Sequence, residues 1–337
     1  MKTALITGIA GQDGSYLANF LLKKNYKIVG IDRRSSRDNQ SRLDYFNIKD
    51  KIILEYSDIT ENFSLERIFD KYNIDEVYNL AAQSFVASSF LTPITTTEVN
   101  SLGVLKILEI IRNKKKKIKF YQASTSEMYG EIIKKPQNEN TPFNPVSPYG
   151  VSKLFSYYTV KNYRKSFKIF ACNGILFNHE SSLRGNEFVT KKIISSLVKI
   201  INGKQKILFL GNIYSKRDWG FAGDYVEAMW KIMQYTKPDD YVIATGKQFS
   251  IKEFINTAAK FLKIRIFWKN KGINEVGINR ETNKVIIKID KKLFRPIEVN
   301  NLIGDSRKAK KILKWKPKIN FKNLVKKMCV EELEQFK

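Results

Sequence analysis

The chain has few of the side chains that bind metals or form disulfides: its 337 residues include one histidine and two cysteines. This scarcity argues against a disulfide framework and a structural zinc site, and we predict no metal site. Cys172 and Cys329 lie in apolar patterns, which predicts buried free thiols and a reducing, cytoplasmic location. The lone histidine, His179, would have to serve any Ser-His-Asp mechanism, and no Gly-x-Ser-x-Gly motif occurs, so hydrolase chemistry is not supported.

Long apolar runs are also missing. No stretch approaches the roughly 18–20 uninterrupted apolar residues that a membrane-spanning helix needs, so we expect no membrane partner. The segment Thr3-Ala-Leu-Ile-Thr7 already has the pattern of a first strand, so we expect no signal peptide.

Acidic residues are scarce, because 33 Asp and Glu stand against 60 Lys and Arg, for a formal net charge of +27. This excess leaves open, as an alternative function, a non-catalytic basic protein that binds nucleotides or nucleic acid. The densest basic run, 112–117, has no interleaved aromatic residues for base stacking. Because the basic residues are scattered, we interpret them as solvent-exposed surface and expect no nucleic-acid partner. A positive field would attract an anionic nucleotide-sugar.

Strand and helix patterns alternate through residues 1–175, which predicts an α/β fold with a doubly wound parallel Rossmann sheet. We expect residues 1–175 to form an NAD(P)-binding domain. Residues 176–337 should form mainly a smaller C-terminal substrate-binding lobe, with the chain crossing back between the lobes. The predicted strands are 3–7, 27–31, 52–56, 75–80, 118–123, 168–174, 207–210, 240–244 and 264–268, with a polar hairpin or loop at 269–290. The predicted helices are 14–25, 64–73, 97–112, 149–166, 187–202, 223–235, 250–263, 305–313 and 320–335.

A glycine-rich turn follows the first predicted strand and precedes the first predicted helix. Glycines in this setting allow a tight turn, and the helix N-terminus presents free N–H groups to a pyrophosphate. The turn therefore predicts a dinucleotide site at Gly8, Ile9, Ala10, Gly11, Gln12, Asp13 and Gly14.

The end of the second predicted strand carries signals for both nicotinamide dinucleotides. An acid such as Asp32 suits the ribose hydroxyl of NAD, whereas the run Arg33, Arg34, Ser35 and Ser36 suits the 2′-phosphate of NADP. We favour NADP and keep NAD as the alternative. Further candidate cofactor positions follow the third and fourth strands: Asp58, Ile59, Leu80, Ala81, Ala82, Gln83 and Ser84.

Tyr149 and Lys153 are spaced to share one face of a predicted helix. An ammonium beside a phenol favours phenolate, which predicts a lowered tyrosine pKa and a base for a sugar hydroxyl. Two other tyrosine–lysine pairs have this spacing but lack the preceding strand that ends near Thr125 and Glu127. Glu127 offers a second base, which suggests an enzyme that oxidises a sugar carbon and then removes a proton beside it.

These motifs resemble the extended short-chain dehydrogenase/reductase family and, within it, the GDP-mannose 4,6-dehydratase family. The likeness runs nearly end to end and includes several further segments in order. They are Phe120-Tyr-Gln-Ala-Ser-Thr-Ser-Glu-Met-Tyr-Gly130, Asn173-Gly-Ile-Leu-Phe-Asn-His-Glu180, Phe188-Val-Thr190, Arg217-Asp-Trp-Gly220, Asp224-Tyr-Val-Glu-Ala-Met-Trp230 and Phe294-Arg-Pro296.

The resemblance implies conversion of GDP-D-mannose to GDP-4-keto-6-deoxy-D-mannose, with hydride moving from C4 to C6 and loss of water. It implies a catalytic set of Thr125, Glu127, Tyr149 and Lys153. Besides the positions above, it implies cofactor contacts at Lys153, His179 and Arg184. Expected substrate contacts are Ser84, Asn178, Val189, Lys192, Arg217, Arg295 and Glu298. The family's assemblies imply a homotetramer or homodimer, in which the polar loop 33–43 reaches a neighbouring subunit.

Some positions depart from the family pattern. Leu183 stands where a basic residue is usual, and Phe85 replaces a common histidine. Related sugar-nucleotide dehydratases carry Asp between their Thr and Glu, where this chain has Ser126, so Glu127 is expected to perform both proton transfers. A dehydratase for a related GDP-sugar, such as a GDP-manno-heptose, is the alternative enzyme; a ketoreductase or epimerase would not need Glu127.

Overall fold

The computed structural model of the chain describes residues 1–36, 40–131, 134–294, 299 and 301–336. At its centre is a sheet of seven strands that are all parallel, which confirms the predicted α/β fold. Its strands are β1 (Thr3–Thr7), β2 (Lys27–Asp32), β3 (Ile53–Tyr56), β4 (Glu76–Asn79), β5 (Lys119–Thr125), β6 (Ala171–Leu176) and β11 (Asp240–Ile243). Their order across the sheet is β11-β6-β5-β4-β1-β2-β3.

Helices cover both faces of this sheet, so β1, β4 and β6 are buried along their whole length. The helix α7 begins at Pro148 because Ser147 caps it, accepting a hydrogen bond from the Gly150 N–H at 3.0 Å. The helices of this part are α1 (Gln12–Leu22), α2 (Ser41–Tyr45), α3 (Asn62–Lys71), α4 (Val86–Leu91), α5 (Pro93–Thr97), α6 (Gly103–Asn113), α7 (Pro148–Ser166), α9 (Ala222–Gln234) and α11 (Arg307–Ile312).

The remaining elements surround a second core in which Trp219, Phe254 and Phe321 pack together. Its helices are α8 (Val189–Ile201), α10 (Ile251–Phe261) and α12 (Phe321–Phe336). A four-stranded sheet has the order β13 (Ile266–Lys269), β14 (Val276–Asn279), β15 (Lys284–Ile289), β8 (Leu208–Leu210). Two short pairs complete the fold: β7 (His179–Glu180) with β10 (Gly220–Phe221), and β9 (Lys216–Arg217) with β12 (Phe249–Ser250).

A local prediction differs from the structure. The predicted helix 97–112 is divided into the end of α5, a π-helical turn at 98–102 and α6. Within that turn the Asn100 side chain bonds to the Gln83 backbone, an interaction outside the helix that the sequence pattern does not show. The polar hairpin or loop predicted at 269–290 is a hairpin, formed by the antiparallel pair β14 and β15.

Buried side-chain hydrogen bonds cross the central sheet, from the carboxyl ends of β1 and β4 to the first residue of β11; we call them the polar row. On β1, Thr7 Oγ1 donates to Asn79 Oδ1 of β4 at 2.6 Å. Asn79 Nδ2 in turn donates to Gln122 Oε1 of β5 at 2.8 Å. Because these groups are buried, each depends on its neighbour for a partner.

The polar row continues on the other side of β5. Ser124 Oγ donates to Asn173 Oδ1 of β6 at 3.0 Å, and Asn173 Nδ2 donates to Asp240 Oδ1 of β11 at 2.8 Å. Asp240 also accepts two hydrogen bonds from the Arg164 guanidinium of α7, at 3.0 and 2.6 Å. The row therefore joins the strands that end at the candidate site and anchors them to α7.

Cys172 and Cys329 are buried and unpaired, as predicted, and burial raises the pKa of each thiol to about 12. None of the helices in the described ranges is long and apolar enough to cross a membrane.

Candidate functional site

Three side chains expected to be catalytic converge where β5 ends and α7 begins. Thr125 is the last residue of β5, and its Oγ1 accepts a hydrogen bond from the Glu127 N–H at 3.2 Å. The phenol of Tyr149, in the first turn of α7, shares a side-chain hydrogen bond with Thr125 and lies within the electrostatic influence of Glu127. Glu127 is nearly buried, with 9% of its surface exposed. A hydroxyl and a phenol therefore lie together here, with the Glu127 carboxylate close enough to raise the pKa of the phenol.

Lys153 lies one helical turn after Tyr149, and its Nζ donates to the Ala123 carbonyl at 3.0 Å. Burial lowers the Lys153 pKa to about 8. Burial also raises the Tyr149 pKa to about 12, and the hydrogen bond from Thr125 offsets this only in part. The predicted lowering of the tyrosine pKa is therefore wrong for the protein by itself, because loss of water disfavours the charged form of each group.

The glycine-rich turn lies beside the segment that follows β4. Gly8 has a φ of +68°, and a Cβ there would lie 2.9 Å from the Ala81 nitrogen. A Cβ on Gly14 would lie 2.3 Å from the Gly8 carbonyl oxygen. Thr7 Oγ1 accepts from the N–H groups of Leu80 and Ala81, at 3.1 and 3.0 Å, and so holds the two segments together. The helix α1 begins directly after Gly11, so its first N–H groups face this junction, as pyrophosphate binding requires.

His179 connects the glycine-rich turn to β7. Its Nε2 lies 2.7 Å from Asp13 Oδ2, and its Nδ1 lies 2.8 Å from the Phe177 carbonyl oxygen. Gln12 adds two further links, because its Nε2 donates to the His179 carbonyl at 3.2 Å and its Oε1 accepts from Ser181 Oγ at 2.8 Å. Asp13, Gln12 and His179 therefore shape the expected cofactor site through contacts with one another.

Some residues expected to bind the adenosine end of the cofactor already make hydrogen bonds within their own loops. Arg33, Arg34, Ser35 and Ser36 are exposed after β2, and Asp32 accepts from the Arg33 N–H at 2.9 Å. Asp58 Oδ1 accepts from the Thr60 N–H at 2.9 Å, while Ile59 is buried against Gly103.

The segment after β4 is braced by its own side chains. The Gln83 Oε1 accepts from the Phe85 N–H at 2.7 Å, and its Nε2 donates to Thr96 Oγ1 at 3.2 Å. Ala81 and Ala82 are half-buried, and Ser84 is exposed. Gln83 thus builds the loop that carries Ser84.

Two unsatisfied polar atoms lie on the segment that follows β6. Within the part of the chain that the structure describes, Asn178 Oδ1 and Arg184 Nε are buried and make no hydrogen bond. Arg184 Nε lies 3.3 Å from a Glu180 carboxylate oxygen, and its guanidinium covers the Phe188 ring at 3.6 Å. Buried polar groups normally have partners, so these atoms fit a polar ligand such as a nucleotide or a sugar.

The other expected substrate contacts are spread along the second half of the chain. Arg217 is buried, with 7% exposed, and its Nη1 donates to the Lys216 carbonyl at 3.0 Å. Lys192 is half-buried on α8, and burial lowers its pKa. Val189 packs against the second core. Arg295 and Glu298 lie outside the described residues.

Sequence reasoning missed Arg42. Its Nε donates to the Leu183 carbonyl at 2.7 Å and its Nη1 to the Ala10 carbonyl at 3.1 Å. It therefore ties α2 to both the glycine-rich turn and the segment that carries Arg184. No sequence signal could have found it, because both acceptors are backbone atoms far away in the chain.

A family model described as GDP-mannose 4,6 dehydratase matches residues 5–328 of this chain. A GDP-mannose 4,6 dehydratase of Drosophila melanogaster is 49% identical over 341 residues, covering 99% of this chain and 86% of that protein. A GDP-mannose 4,6-dehydratase of Vibrio cholerae is 46% identical, with 99% and 94% covered. A GDP-mannose 4,6 dehydratase of Homo sapiens is 47% identical, with 99% and 92% covered.

Solved structures with a similar fold are more distant in sequence. A UDP-glucose 4-epimerase of Thermotoga maritima, solved with UDP-glucose, has a TM-score of 0.83 at 22% identity and covers 99% of this chain and 100% of its own. A dTDP-glucose 4,6-dehydratase of Bacillus anthracis, in complex with NAD, has a TM-score of 0.82 at 20% identity, with 99% and 97% covered. At such low identity the likeness concerns the fold alone.

We predict that His179 is an imidazolium at neutral pH, because both ring nitrogens face acceptors. Burial alone would lower its pKa, but the charge and hydrogen bond of Asp13 raise it above the ordinary 6.5. In the same pair, burial opposes ionisation of Asp13, but His179 brings the Asp13 pKa below its usual value. Protonated His179 therefore stabilises the folded state. This stabilisation is fully present below pH 6.5 and is lost as the pH rises through the folded-state His179 pKa.

As the chain has one histidine, an NMR titration gives one imidazole signal and reads this pKa directly. Asp13→Asn should lower the pKa toward or below 6.5. An imidazole that already titrates below 6.5 in the unaltered protein would contradict the imidazolium assignment.

Proposed function

The chain belongs to the GDP-mannose 4,6-dehydratase family, and we propose that it is an NADP-dependent lyase that converts GDP-D-mannose to GDP-4-keto-6-deoxy-D-mannose. The observation that carries the proposal is the convergence of Thr125, Glu127 and Tyr149 beside the glycine-rich turn. The family favours GDP-mannose over the alternative of a GDP-manno-heptose.

Three features support the proposed cofactor-binding site: the glycine-rich turn, the exposed arginines after β2 and the segment around His179. When bound, an oxidised nicotinamide dinucleotide supplies an acceptor for the hydrogen of sugar C4, returns that hydrogen later, and brings a positive charge that favours phenolate. Residues that would hold it include the backbone of Gly8 to Gly14 at the pyrophosphate and Arg33 with Arg34 at a 2′-phosphate.

Tyr149 and Thr125 act at the sugar O4. The Tyr149 phenolic oxygen takes the O4 proton, and Thr125 aligns the phenol through the hydrogen bond that they share. Since burial raises the Tyr149 pKa to about 12, the phenol carries its proton at neutral pH in the protein by itself. We infer that the Lys153 ammonium, one helical turn along α7 and with a pKa of about 8, favours the phenolate once the cofactor is bound.

Glu127 acts at C5 and O6. A ketone at C4 acidifies the neighbouring C5–H, and the Glu127 carboxylate takes that proton and delivers it to the hydroxyl that leaves C6 as water. Ser126 has no titratable group, so Glu127 performs both transfers. The proton taken from O4 balances the one that C5 regains, and water is the only group lost.

We predict that Glu127→Gln lowers kcat for water loss by about 10²- to 10⁴-fold, because an amide cannot accept the C5 proton. Binding of NADP should stay unchanged, since Glu127 lies outside the expected cofactor contacts. Mass spectrometry of the product measures the loss of water.

Glu131→Gln is the matched control, because Glu131 is an exposed carboxylate in the same segment. It should keep the activity of the unaltered enzyme. Full dehydration by Glu127→Gln would refute the proposed role of Glu127.

The choice of NADP over NAD is the finer part of the cofactor proposal. Two arginines and two serines are exposed directly after β2, where they can pair with a 2′-phosphate. Asp32 is occupied at least in part by the Arg33 N–H, which favours a local role for this acid. Parallel titrations of the purified chain should give tighter binding of NADP than of NAD; the reverse order would overturn the choice.

We also propose a homodimer or homotetramer built on the outer face of α7. Val151, Phe155 and Tyr158 are 55%, 46% and 55% exposed there, at positions that share one helical face. Leu105 of α6 borders the same groove. An exposed apolar stripe of this kind suits a second copy of the chain. Light scattering should therefore report a dimer or tetramer, and a monomer would contradict this assembly.

We propose that the enzyme has no nucleic-acid partner, because acidic residues pair with part of its basic surface. The buried, unpaired cysteines suit a reducing cytoplasm. In the densest basic run Lys114 pairs with Asp70, and Lys116 lies 2.7 Å from Asp75. These pairs reduce the charge available to phosphates. Salt-sensitive retention of the chain on double-stranded DNA at physiological salt would contradict this part of the proposal.

A further inference from the structure

A buried carboxylate directly follows Arg217 in the chain. Asp218 has no exposed surface and accepts four hydrogen bonds from two separate loops. The Thr245 N–H and hydroxyl donate at 2.9 and 2.5 Å, the Gly246 N–H at 2.9 Å and the Gly304 N–H at 3.3 Å. One side chain thus holds three stretches of backbone together.

Two of these donors are glycines in positions that other residues would fit poorly. Gly246 has a φ of +76°, in the left-handed region. A Cβ on Gly304 would lie 2.3 Å from the Ala244 Cβ and 2.8 Å from the Phe177 ring. The close approach of Gly304 therefore lets its N–H reach Asp218.

The segment 301–305 is held from its other side as well. Gln137 accepts from the Ile303 N–H at 3.0 Å through its side chain and donates to the Ile303 carbonyl at 2.9 Å through its backbone. The Lys216 carbonyl accepts from the Leu302 N–H at 3.4 Å. The end of β9, which carries Arg217, is thus fixed against a segment that begins a few residues after the expected substrate contacts Arg295 and Glu298.

We propose that Asp218 is a positioning residue for the nucleotide-diphosphate part of the substrate. By holding β9 against residues 245–246 and 301–304, it sets where the Arg217 guanidinium stands relative to those segments. Charge-assisted hydrogen bonds that backbone N–H groups donate to a buried carboxylate are strong, so the arrangement is rigid before the ligand arrives. This inference rests on the proposed function, because it takes the ligand to be a GDP-sugar.

GDP alone is the probe, because its binding requires no catalysis. Asp218→Asn keeps the size of the side chain but turns an amide N–H group toward N–H donors. We expect the GDP Kd to rise by about tenfold or more, as loss of hydrogen bonds to a charged group implies. The NADP Kd should stay within about twofold, since the glycine-rich turn makes none of these contacts.

Asp224→Asn is the matched control for a merely structural role. Asp224 is also a buried carboxylate that accepts backbone hydrogen bonds, from the Lys318 and Ile319 N–H groups at 2.8 and 3.0 Å. It should lower the melting temperature without changing the GDP Kd by more than about twofold. Equal losses of GDP affinity in both variants at equal losses of stability would overturn the positioning role.

Thr245→Val and Thr245→Ser keep the inference testable if Asp218→Asn does not fold. Valine removes the hydroxyl that donates to Asp218 and should weaken GDP binding by about threefold to tenfold. Serine keeps that hydroxyl and should restore the affinity. Unchanged GDP binding in Thr245→Val, or in a folded Asp218→Asn, would refute the inference. If the unaltered chain binds NADP but no GDP, the proposed function fails and the inference falls with it.

Discussion

The candidate site depends on the polar row, the buried side-chain hydrogen bonds that link the strands of the central sheet. In parallel strands all carboxyl ends meet at one edge, but their relative heights depend on register. Thr7 lies opposite Asn79, and Asn79 lies opposite Gln122. A shift of one residue would point these groups to the other face and leave them without partners in the core. The row therefore fixes Thr125 relative to the glycine-rich turn.

The same row reaches α7, which carries Tyr149 and Lys153, the other half of the proposed catalytic set. Arg164 near the end of that helix pairs with buried Asp240, and Lys153 near its start contacts the Ala123 carbonyl on β5. The helix is thus held near both ends, against β5 at its start and against β11 at its end. This rigidity suits proton transfer, because the distance between Tyr149 and a sugar hydroxyl must be short and constant.

Burial disfavours the charged forms of Tyr149, Lys153 and His179 alike, and nearby partners decide whether that effect prevails. It raises the Tyr149 pKa and lowers the Lys153 pKa, so the protein alone disfavours the charged pair. At His179 the nearby Asp13 carboxylate outweighs burial and raises the pKa of the imidazole above its ordinary value. The difference lies in partners: His179 has two acceptors at hydrogen-bond distance, whereas the Tyr149 phenol has the Thr125 hydroxyl.

Features encoded by a few adjacent residues could be predicted from the sequence. The glycine-rich turn, the strand that ends at Thr125 and the helix that starts after Ser147 are local patterns, and the structure contains all three. The pattern also predicts the strand 240–244. Its place at the edge of the central sheet could not be predicted from the sequence, because it depends on pairing with β6 between residues 67 positions apart in the chain.

Properties that arise from distant contacts were predicted poorly. The Tyr149 pKa depends on how much of the protein surrounds the phenol, which the spacing to Lys153 does not reveal. Arg42 and Asp218 act on backbone atoms that carry no side-chain signature. The sequence suggests which groups take part in the proposed chemistry, and tertiary contacts determine their protonation and position.

The most direct test of the account follows the hydrogen of C4. GDP-mannose carrying deuterium at C4, incubated with the purified chain and a trace of NADP, is predicted to yield a 4-keto product that has lost one water and carries the deuterium at C6. Mass spectrometry and NMR locate the label. Release of the deuterium to solvent, or a product that keeps the oxygen at C6, would contradict the account.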